Sequence, residues 1–332
     1  MAVIATGSVA FDHILTFRGR FAEHLIPEKS HVINLSFLVD RVERRRGGVA
    51  ANYAYTLSLL GQPAAILATA GEDAAEYKHW LEARGIDCSG LVLLEGEQTA
   101  TGYTTTDLDG NQITGYFGGA MLKAGSIGLA ATAANADAVI VGPNAPDAMQ
   151  RLVAECRQRR IPWVWDPAHQ LPRMSPAEIL EGCRGAWIVI GNDYEIELIH
   201  QRTGRDRRGL LDFAEMVVTT FGREGSRIDT RSGHVTAPAA PASPEVDPVG
   251  AGDAYRGGLV YGLLSGRSIA EAARIASVAA AYVIEHRGTI EHSYLPEEFE
   301  ARYRRAYGTD LDLHRTSATA QGRAQPTNER TP

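Results

Sequence analysis

The central third of the chain alternates short apolar runs with helical patterns, and each apolar run ends in small or polar residues. Residues 138–142, 163–165, 187–190 and 217–220 are predicted as buried strands. Strands that alternate with helices of about 10–15 residues favour a mostly parallel, doubly wound sheet with helices on both faces. The sequence therefore predicts an α/β fold.

Two stretches break this alternation and predict a smaller β-sheet. Residues 13–46 mix charged residues with short β-like runs. Residues 91–118 have the pattern of a β-ribbon, in which Asp109-Gly110 supplies a hairpin turn. We expect both stretches to form a lid over a cleft. The lid and the large sheet together are predicted to form one domain, residues 1–308.

Composition and charge restrict the compartment and the partners. The 332 residues are 44% hydrophobic and carry a net charge of −7, which does not favour nucleic-acid binding. Three cysteines lie far apart in sequence, which is typical of a reducing compartment and argues against a cysteine-rich metal site. The sequence shows no signal-peptide pattern and no apolar run of membrane-spanning length. We expect a cytoplasmic protein without membrane contact, and a disordered tail at 309–332.

Residues 247–258, DPVGAGDAYRGG, predict a glycine-rich turn that opens a helix. The unpaired N–H groups of a helix start attract anions, and glycines let a ligand approach the backbone closely. A carboxylate at Asp253 is unusual there unless it takes a proton from a hydroxyl that attacks a bound phosphoryl group. A helix-capping role explains the same residue equally well.

Further candidate residues lie where strands are predicted to end, which is where open α/β sheets bind ligands. Asp12 follows the first predicted strand. Asn192 and Glu195 start a helix directly after a strand; Glu195 could hold a hydrated Mg²⁺, but a capping box fits the same spacing. Residues 220–225, TFGREG, predict a strand-end turn that two glycines open to a nucleotide.

Several common chemistries lack their motifs. The sequence contains no GxxxxGK[ST], no GxGxxG after the first strand, no HExxH and no GxSxG. An anion site in this chain is therefore built from glycine-rich backbone without a P-loop lysine.

Taken together, these stretches resemble the ribokinase-like (PfkB-type) family of small-molecule kinases. The resemblance covers nearly all of residues 1–308. Its motifs, in the family's order, are Gly7-Ser8 with Asp12, GGVAAN at 47–52, NDYE at 192–195, TFGREG at 220–225 and DPVGAGD at 247–253. Within the family the sequence is most similar to bacterial adenosine kinases, through GSVAFDH at 7–13, GRFAEHLIPE at 19–28, NLSFLVD at 34–40 and DPAHQL at 166–171.

The resemblance implies transfer of the γ-phosphoryl group of ATP to the 5′-hydroxyl of a ribonucleoside, with adenosine as the first expectation. It makes Asp253 the base for the acceptor hydroxyl and Glu195 the Mg²⁺ residue, acting through water. It assigns the anion hole to the N–H groups of Gly250, Ala251 and Gly252. It assigns the ATP site to Asn192, Thr220, Gly222 and Gly225.

The same resemblance implies a nucleoside site. Its residues are Ser8, Asp12, Gly47, Gly48, Asn52, Tyr103, Tyr116 and Gln170. The Asp12 carboxylate suits a ribose diol, because its two oxygens can accept from two adjacent hydroxyls. The base-stacking phenylalanine of adenosine kinases falls near Gly102 here, and Tyr103, Tyr116 or Phe117 is expected to replace it.

Alternatives stay open at this stage. The acceptor could be guanosine, inosine, cytidine or a furanose sugar such as ribose, and a free sugar needs no stacking residue on the lid. A nucleoside-binding regulator without activity is a different class, against which the retained Asp253, Glu195 and glycines argue. The resemblance also leaves open a requirement for a monovalent cation such as K⁺ and a homodimer formed through the lid.

Overall fold

A computed structural model describes residues 2–24, 36–132 and 136–313 of the chain. Within these residues the strands are β1 (Ala2–Thr6), β2 (Ala10–Thr16), β3 (Arg41–Gly47), β4 (Ala64–Gly71), β5 (Asp87–Leu94), β6 (Ala100–Thr106), β7 (Gln112–Phe117), β8 (Ala136–Val141), β9 (Trp163–Trp165), β10 (Ile188–Asn192), β11 (Met216–Thr220), β12 (Ser226–Thr230) and β13 (Gly233–Ala237). The α-helices are α1 (Phe21–His24), α2 (Val49–Leu59), α3 (Ala75–Glu82), α4 (Pro146–Arg159), α5 (Pro176–Cys183), α6 (Asp193–Thr203), α7 (Arg207–Leu210), α8 (Ala251–Leu264), α9 (Ile269–Ile284) and α10 (Pro296–Tyr307).

The large sheet has the order β13-β12-β11-β10-β9-β8-β1-β4-β5. All neighbours from β5 to β11 pair in parallel, and only β12 and β13 join antiparallel. Because β1 lies between β4 and β8, the chain winds outward in both directions from it. The predicted α/β, doubly wound and mostly parallel sheet is confirmed.

Alternate residues of the central strand β1 face two different cores. Val3 and Ala5 pack into the core beneath α2, α8 and α9, and Ile4 packs into the core beneath α4, α5 and α6. This two-residue period follows from strand geometry, in which successive side chains point to opposite faces. A sheet covered on both faces exposes functional groups chiefly at the ends of its strands.

A separate small sheet has the order β3-β2-β6-β7. Its register aligns Asp12 with Gly102, and Gly102 with Tyr116, so these three residues share one face, which we call the inner face. His13 and Tyr103 belong to the opposite, outer face, where their rings stack with centroids 5.0 Å apart. The expected smaller sheet is thus present, and its two faces carry different residues.

Two predicted boundaries need correction. Residues 91–94 belong to β5 of the large sheet, because this apolar run pairs with β4 and buries Leu91 in the core. The tail cannot begin at residue 309, because Leu311 and Leu313 are buried and the Leu313 carbonyl accepts a hydrogen bond from the Tyr261 hydroxyl.

Parts of two other predictions lie outside the described residues. These parts are 25–35, within the expected lid segment 13–46, and 314–332, within the expected tail. Across the part of the chain that the structure describes, no helix combines the length and the apolar character needed to cross a bilayer.

Candidate active site

The start of α8 forms a tight turn against the loop that follows α9. Its N-cap Gly250 has φ +83°, and a Cβ there would lie 2.7 Å from a side-chain carbon of Thr289, so glycine is required. The Ala251 N–H donates to the Pro248 carbonyl across 3.2 Å. The Ala251 N–H is therefore engaged within the turn, and an anion hole formed by the N–H groups of Gly250, Ala251 and Gly252 stays a prediction.

Asp253 lies in the first turn of α8 and is held by a short chain of hydrogen bonds. The Asn52 Nδ2 donates to Asp253 Oδ2 at 2.7 Å, and the Thr289 hydroxyl donates to Asn52 Oδ1 at 2.7 Å. Asn52 also lines a cavity, so its predicted contact with sugar hydroxyls stays a prediction beside its observed hydrogen bond to Asp253. A capping role for Asp253 is not seen, since no side-chain cap hydrogen bond forms at this helix start.

Asp12 is seated between two glycines on the inner face of the small sheet. A Cβ on Gly47 would lie 2.4 Å from Asp12 Oδ2, and one on Gly102 would lie 2.8 Å from Oδ1. Glycine at both positions therefore makes the room for this carboxylate. Burial, reinforced by the nearby charge of Asp247, raises the pKa of Asp12 to about 6.

Asp12 and Asp253 line the same cavity, which has a volume of about 400 Å³. The inner face of the small sheet forms one side of the cavity, and the starts of α2 and α8 form the other. The lining residues are Ser8, Ala10, Asp12, Gly48, Val49, Asn52, Tyr116, His169, Val249, Gly250, Asp253 and Thr289. A cavity of this size suits a small polar molecule with several hydroxyl groups.

The electrostatics of the cavity favour a carboxyl group that exchanges a proton near neutral pH. Burial raises the pKa of Asp253 to about 7, against the opposing effects of Arg256 and the Asn52 hydrogen bond. Asp166 and Glu195 raise it further by like-charge repulsion. A base with a pKa close to the working pH is well matched to accepting a hydroxyl proton.

Two predicted nucleoside residues do not reach the cavity. The side-chain direction at Gly102 points toward Asp12 on the inner face of the small sheet. Successive strand residues point to opposite faces, so Tyr103 lies on the outer face, where it stacks on His13. Gln170 is buried in a 3₁₀ turn and is not part of the cavity lining. Its neighbour His169 lines the cavity instead.

Among the aromatic candidates on the small sheet, Tyr116 is the cavity-lining residue. Its ring lies 3.8 Å from the position of a Cβ on Gly102, and its centroid lies 6.4 Å from that of His169. Phe117 follows it on β7 and so points to the outer face. Burial lowers the pKa of His169, so this ring is neutral at pH 7.

The predicted nucleotide residues meet at the carboxyl ends of β10 and β11. Asn192 pairs directly with Thr220 in the parallel ladder. Gly222 and Gly225 have φ values of +56° and +99° in the turn that follows. A Cβ on Gly225 would lie 2.1 Å from the Ala237 carbonyl, so this turn requires glycine.

Glu195 forms the capping box that the spacing had left open as an alternative. Its Oε2 accepts the Asn192 N–H at 2.8 Å, and Asn192 Oδ1 accepts the Glu195 N–H at 2.8 Å. Burial raises the pKa of Glu195, with the Asp166 charge as a further cause. In the described residues no group of three or more His, Cys, Asp or Glu is arranged to hold a metal. A single carboxylate fits Mg²⁺, which keeps several waters and takes few protein ligands.

The comparisons with known proteins identify the family. The model of the pfkB family carbohydrate kinases matches residues 8–297. The chain belongs to this family. As a pfkB kinase it is a phosphotransferase that acts on an alcohol group.

Relatives of this kinase include nucleoside kinases. One from Methanothermobacter thermautotrophicus is 32% identical over 305 residues, which cover 90% of this chain and 94% of that protein. The structure of Burkholderia thailandensis nucleoside kinase in complex with ADP-inosine is 37% identical with a TM-score of 0.83, covering 93% of this chain and 97% of that one. Adenosine kinase from Sinorhizobium meliloti has a TM-score of 0.71 at 22% identity over 92% of this chain and 99% of that one, which shows the fold alone.

Sequence reasoning missed three polar side chains at the candidate site of this pfkB kinase. Thr289 and His169 line the cavity, and Arg256 lies beneath the glycine turn at the start of α8. The burial of Arg256 could have been inferred from the sequence, because an arginine between apolar and small residues of one helix indicates a buried partner. The position of Thr289 could not, since it depends on how the loop after α9 returns to α8.

Proposed function

We propose that this pfkB kinase is an ATP-dependent nucleoside kinase that transfers the γ-phosphoryl group of ATP to the 5′-hydroxyl of a ribonucleoside. The observation that carries this proposal is the single cavity lined by both Asp12 and Asp253. The distribution of acidic groups matches a ribonucleoside, which presents a diol at one end of the ribose and a primary hydroxyl at the other.

In the proposed reaction, Asp253 takes the proton of the 5′-hydroxyl as that oxygen attacks the γ-phosphorus. The bond from the γ-phosphorus to the bridging oxygen of ATP breaks, and ADP leaves. The Asn52 hydrogen bond keeps the carboxylate oriented toward the cavity. The N–H groups of Gly250 and Gly252 stabilise the charge that builds up on the phosphoryl oxygens. At the other end, the Asp12 oxygens accept hydrogen bonds from the 2′- and 3′-hydroxyls.

The nucleotide is proposed to bind at the carboxyl ends of β10 and β11. Asn192, Thr220, Gly222 and Gly225 would contact ATP there, and Glu195 would hold Mg²⁺ through water. Bound Mg²⁺ supplies positive charge against the phosphates. A requirement for K⁺ is tested by exchanging K⁺ for Na⁺ at constant ionic strength.

Adenosine is the first proposed acceptor, because the residues 247–258 and 166–171 resemble those of adenosine kinases. Tyr116 would stack on the base and His169 would lie beside it, since both line the cavity. Inosine is the second candidate, because the Burkholderia thailandensis relative at 37% identity is described in complex with ADP-inosine.

The test is ADP formation by the purified protein with adenosine, inosine, guanosine, cytidine and ribose. The proposal expects turnover with at least one nucleoside at a kcat/KM well above that for ribose. Turnover of ribose alone would make the protein a sugar kinase. ADP formation with none of the five, together with nucleoside binding, would support an inactive regulator.

The pH dependence of kcat/KM provides a further prediction. Because Asp253 must be ionised to accept a proton, activity falls as the pH drops through about 7, its raised pKa. Protonation of Asp12 near pH 6 steepens the fall. The measurement is kcat/KM for the nucleoside from pH 5 to pH 9 at saturating ATP. An acidic limb centred near pH 4, the range of an ordinary carboxyl group, would contradict the prediction.

We also propose that the small sheet is the lid of the cavity and that two copies of the chain associate through its outer face. Apolar side chains are exposed on that face; they are Val42, Tyr103, Ile113 and Phe117. An exposed apolar patch of this kind favours a protein partner, and a second copy presents the same patch.

Replacing Tyr103 by aspartate is expected to shift the protein from dimer to monomer, because it places a charge in the proposed contact. The measurement is light scattering coupled to size-exclusion chromatography at several concentrations. Leu108→Asp is the matched control, since Leu108 is also more than half exposed but lies at the β6–β7 turn. A monomeric wild type, or a Tyr103→Asp dimer, would rule out this interface.

We also propose a cytoplasmic location for this kinase, because its cysteines and its proposed co-substrate suit a reducing compartment that contains ATP. The three cysteines, Cys88, Cys156 and Cys183, are unpaired and buried, and ATP is the proposed co-substrate.

A further inference from the structure

A buried ionic cluster lies behind the proposed active site. Arg256 Nη2 donates to Asp166 Oδ1 at 2.8 Å, and Arg256 Nε forms a second, close contact with Asp166 Oδ2. The Tyr53 hydroxyl donates to the same Oδ2. All three side chains are almost inaccessible to solvent, with exposed fractions of 6% for Arg256, 1% for Asp166 and 0% for Tyr53. None of them has a part in the reaction proposed above.

The cluster lies against residues proposed for the nucleotide side and for the acceptor side of that reaction. On the nucleotide side, Arg256 Nη2 lies 3.5 Å from Glu195 Oε2. On the acceptor side, Arg256 lies one helical turn after Asp253, and a Cβ on Gly252 would lie 2.8 Å from Arg256 Nη1. The guanidinium group therefore lies directly beneath the glycine turn.

Tyr53 links the cluster to helix α2. Tyr53 is adjacent to Asn52, which donates to Asp253. The cluster thus joins α2, the end of β9, α6 and α8 through one guanidinium group and one carboxylate. Of these elements, α2 carries Asn52, α6 carries Glu195 and α8 carries Asp253.

The chemistry of the cluster explains why an arginine occupies this position. A planar guanidinium can meet both Asp166 oxygens and still direct an N–H toward Glu195, whereas a lysine ammonium is a point charge on a flexible chain. Apolar residues of similar volume can often replace a buried ion pair without loss of stability, so the presence of this pair is weak evidence for a stabilising role.

We propose that Arg256, braced by Asp166 and Tyr53, is a positioning residue that fixes Glu195 and the glycine turn relative to Asp253. The proposal rests on the proposed function, because it assigns the nucleotide to Glu195 and the proton transfer to Asp253. In this arrangement Arg256 acts only through its neighbours. Loss of its fork geometry changes nucleotide binding and kcat and leaves nucleoside binding by Asp12 intact.

The test compares Arg256→Lys with the double variant Arg256→Met/Asp166→Asn, which removes both charges of the central pair and avoids an unpaired buried carboxylate. For each folded variant the measurements are kcat, KM for the nucleoside and the Kd of MgADP by calorimetry. We expect kcat to fall about 10²-fold, as for a misplacement of about 1 Å, with weaker MgADP binding and an almost unchanged nucleoside KM.

The matched control is Arg302→Lys. Arg302 forms a two-pronged contact with Glu285, at 2.7 and 2.8 Å, and only 11% of its side chain is exposed. It joins α10 to the end of α9 outside the cavity lining, so kcat and MgADP binding should stay at wild-type values.

The outcomes separate this proposal from the proposed function. Folded Arg256→Lys and double variants with wild-type kcat and wild-type MgADP affinity would overturn the positioning role. A wild type that binds MgADP but phosphorylates no nucleoside would overturn the proposed function, while the calorimetry would still decide whether Arg256 organises the nucleotide side. A rise in nucleoside KM alone would also overturn the proposal, because it would place the effect at Asp12.

Discussion

Replacing Asp253 by asparagine is expected to lower kcat by roughly 10²–10⁴-fold, the range associated with loss of a general base. The amide has nearly the shape of the carboxylate but cannot accept the proton of the acceptor hydroxyl. ATP binding should be largely unaffected, because the proposed nucleotide residues lie at the ends of β10 and β11. The measurements are steady-state kinetics with the best nucleoside and the Kd of ATP by calorimetry.

Two controls separate lost chemistry from lost folding. Asp147→Asn changes an exposed aspartate in the first turn of α4 and should leave kcat unaltered. Asp253→Asn should melt at or above the wild-type temperature at pH 8. In the folded state the pKa of Asp253 is about 7, above its ordinary value of 3.8, so ionisation of this carboxyl opposes folding as the pH rises. A folded Asp253→Asn variant with unchanged kcat would remove Asp253 from its role.

Replacing Asp12 by alanine is expected to raise the KM for the nucleoside by about 10²-fold, with a much smaller effect on kcat. Two charge-assisted hydrogen bonds to the ribose diol are lost, and each hydrogen bond of this type contributes about 1.5–3 kcal/mol. The effect falls on KM because the diol is proposed to be held equally in the ground state and the transition state. The measurement is the full dependence of rate on nucleoside concentration at saturating ATP.

Substrate analogues provide the control for this prediction. The wild type should discriminate strongly against a 2′,3′-dideoxynucleoside, and the Asp12→Ala variant should lose most of that discrimination. Equal use of the ribo- and dideoxynucleoside by the wild type would show that Asp12 does not bind the diol.

The sequence predicted the fold well, because local patterns decide it. The apolar runs 138–142 and 163–165 are short and bounded by polar or small residues, which favours buried strands, and their alternation with helices indicates a parallel sheet. The starts of α2 and α8 were also foreseen, since their glycines have few alternative uses. The family assignment followed from the order of these motifs.

The errors concern relations between segments that are distant in sequence. Whether Tyr103 or Tyr116 faces the cavity depends on strand register, and a shift of one residue exchanges the two faces. The run 91–94 has a β pattern that suits either sheet, and only its pairing with β4 assigns it to the large one. Gln170 and His169 are neighbours in a 3₁₀ turn, whose direction the sequence does not specify.

The candidate site also combines features that the sequence predicted with contacts that it did not. Asp12 and Asp253 lie on one cavity, as expected, although 241 positions separate them in the chain. The hydrogen bond from Asn52 to Asp253 and the Arg256 cluster were not foreseen, because both depend on how α2 and α8 pack together. Pairwise packing of helices has no signature in a single sequence.

The most direct test of the central claim, that Asp253 and Asp12 act on opposite ends of one ribose, is the position of the transferred phosphoryl group. The protein is incubated with ATP, Mg²⁺ and the nucleoside that it uses best, and the product is assigned by ³¹P nuclear magnetic resonance. A nucleoside 5′-monophosphate is the predicted product. A 2′- or 3′-phosphate would contradict the claim, because it would place the acceptor hydroxyl among those assigned to Asp12.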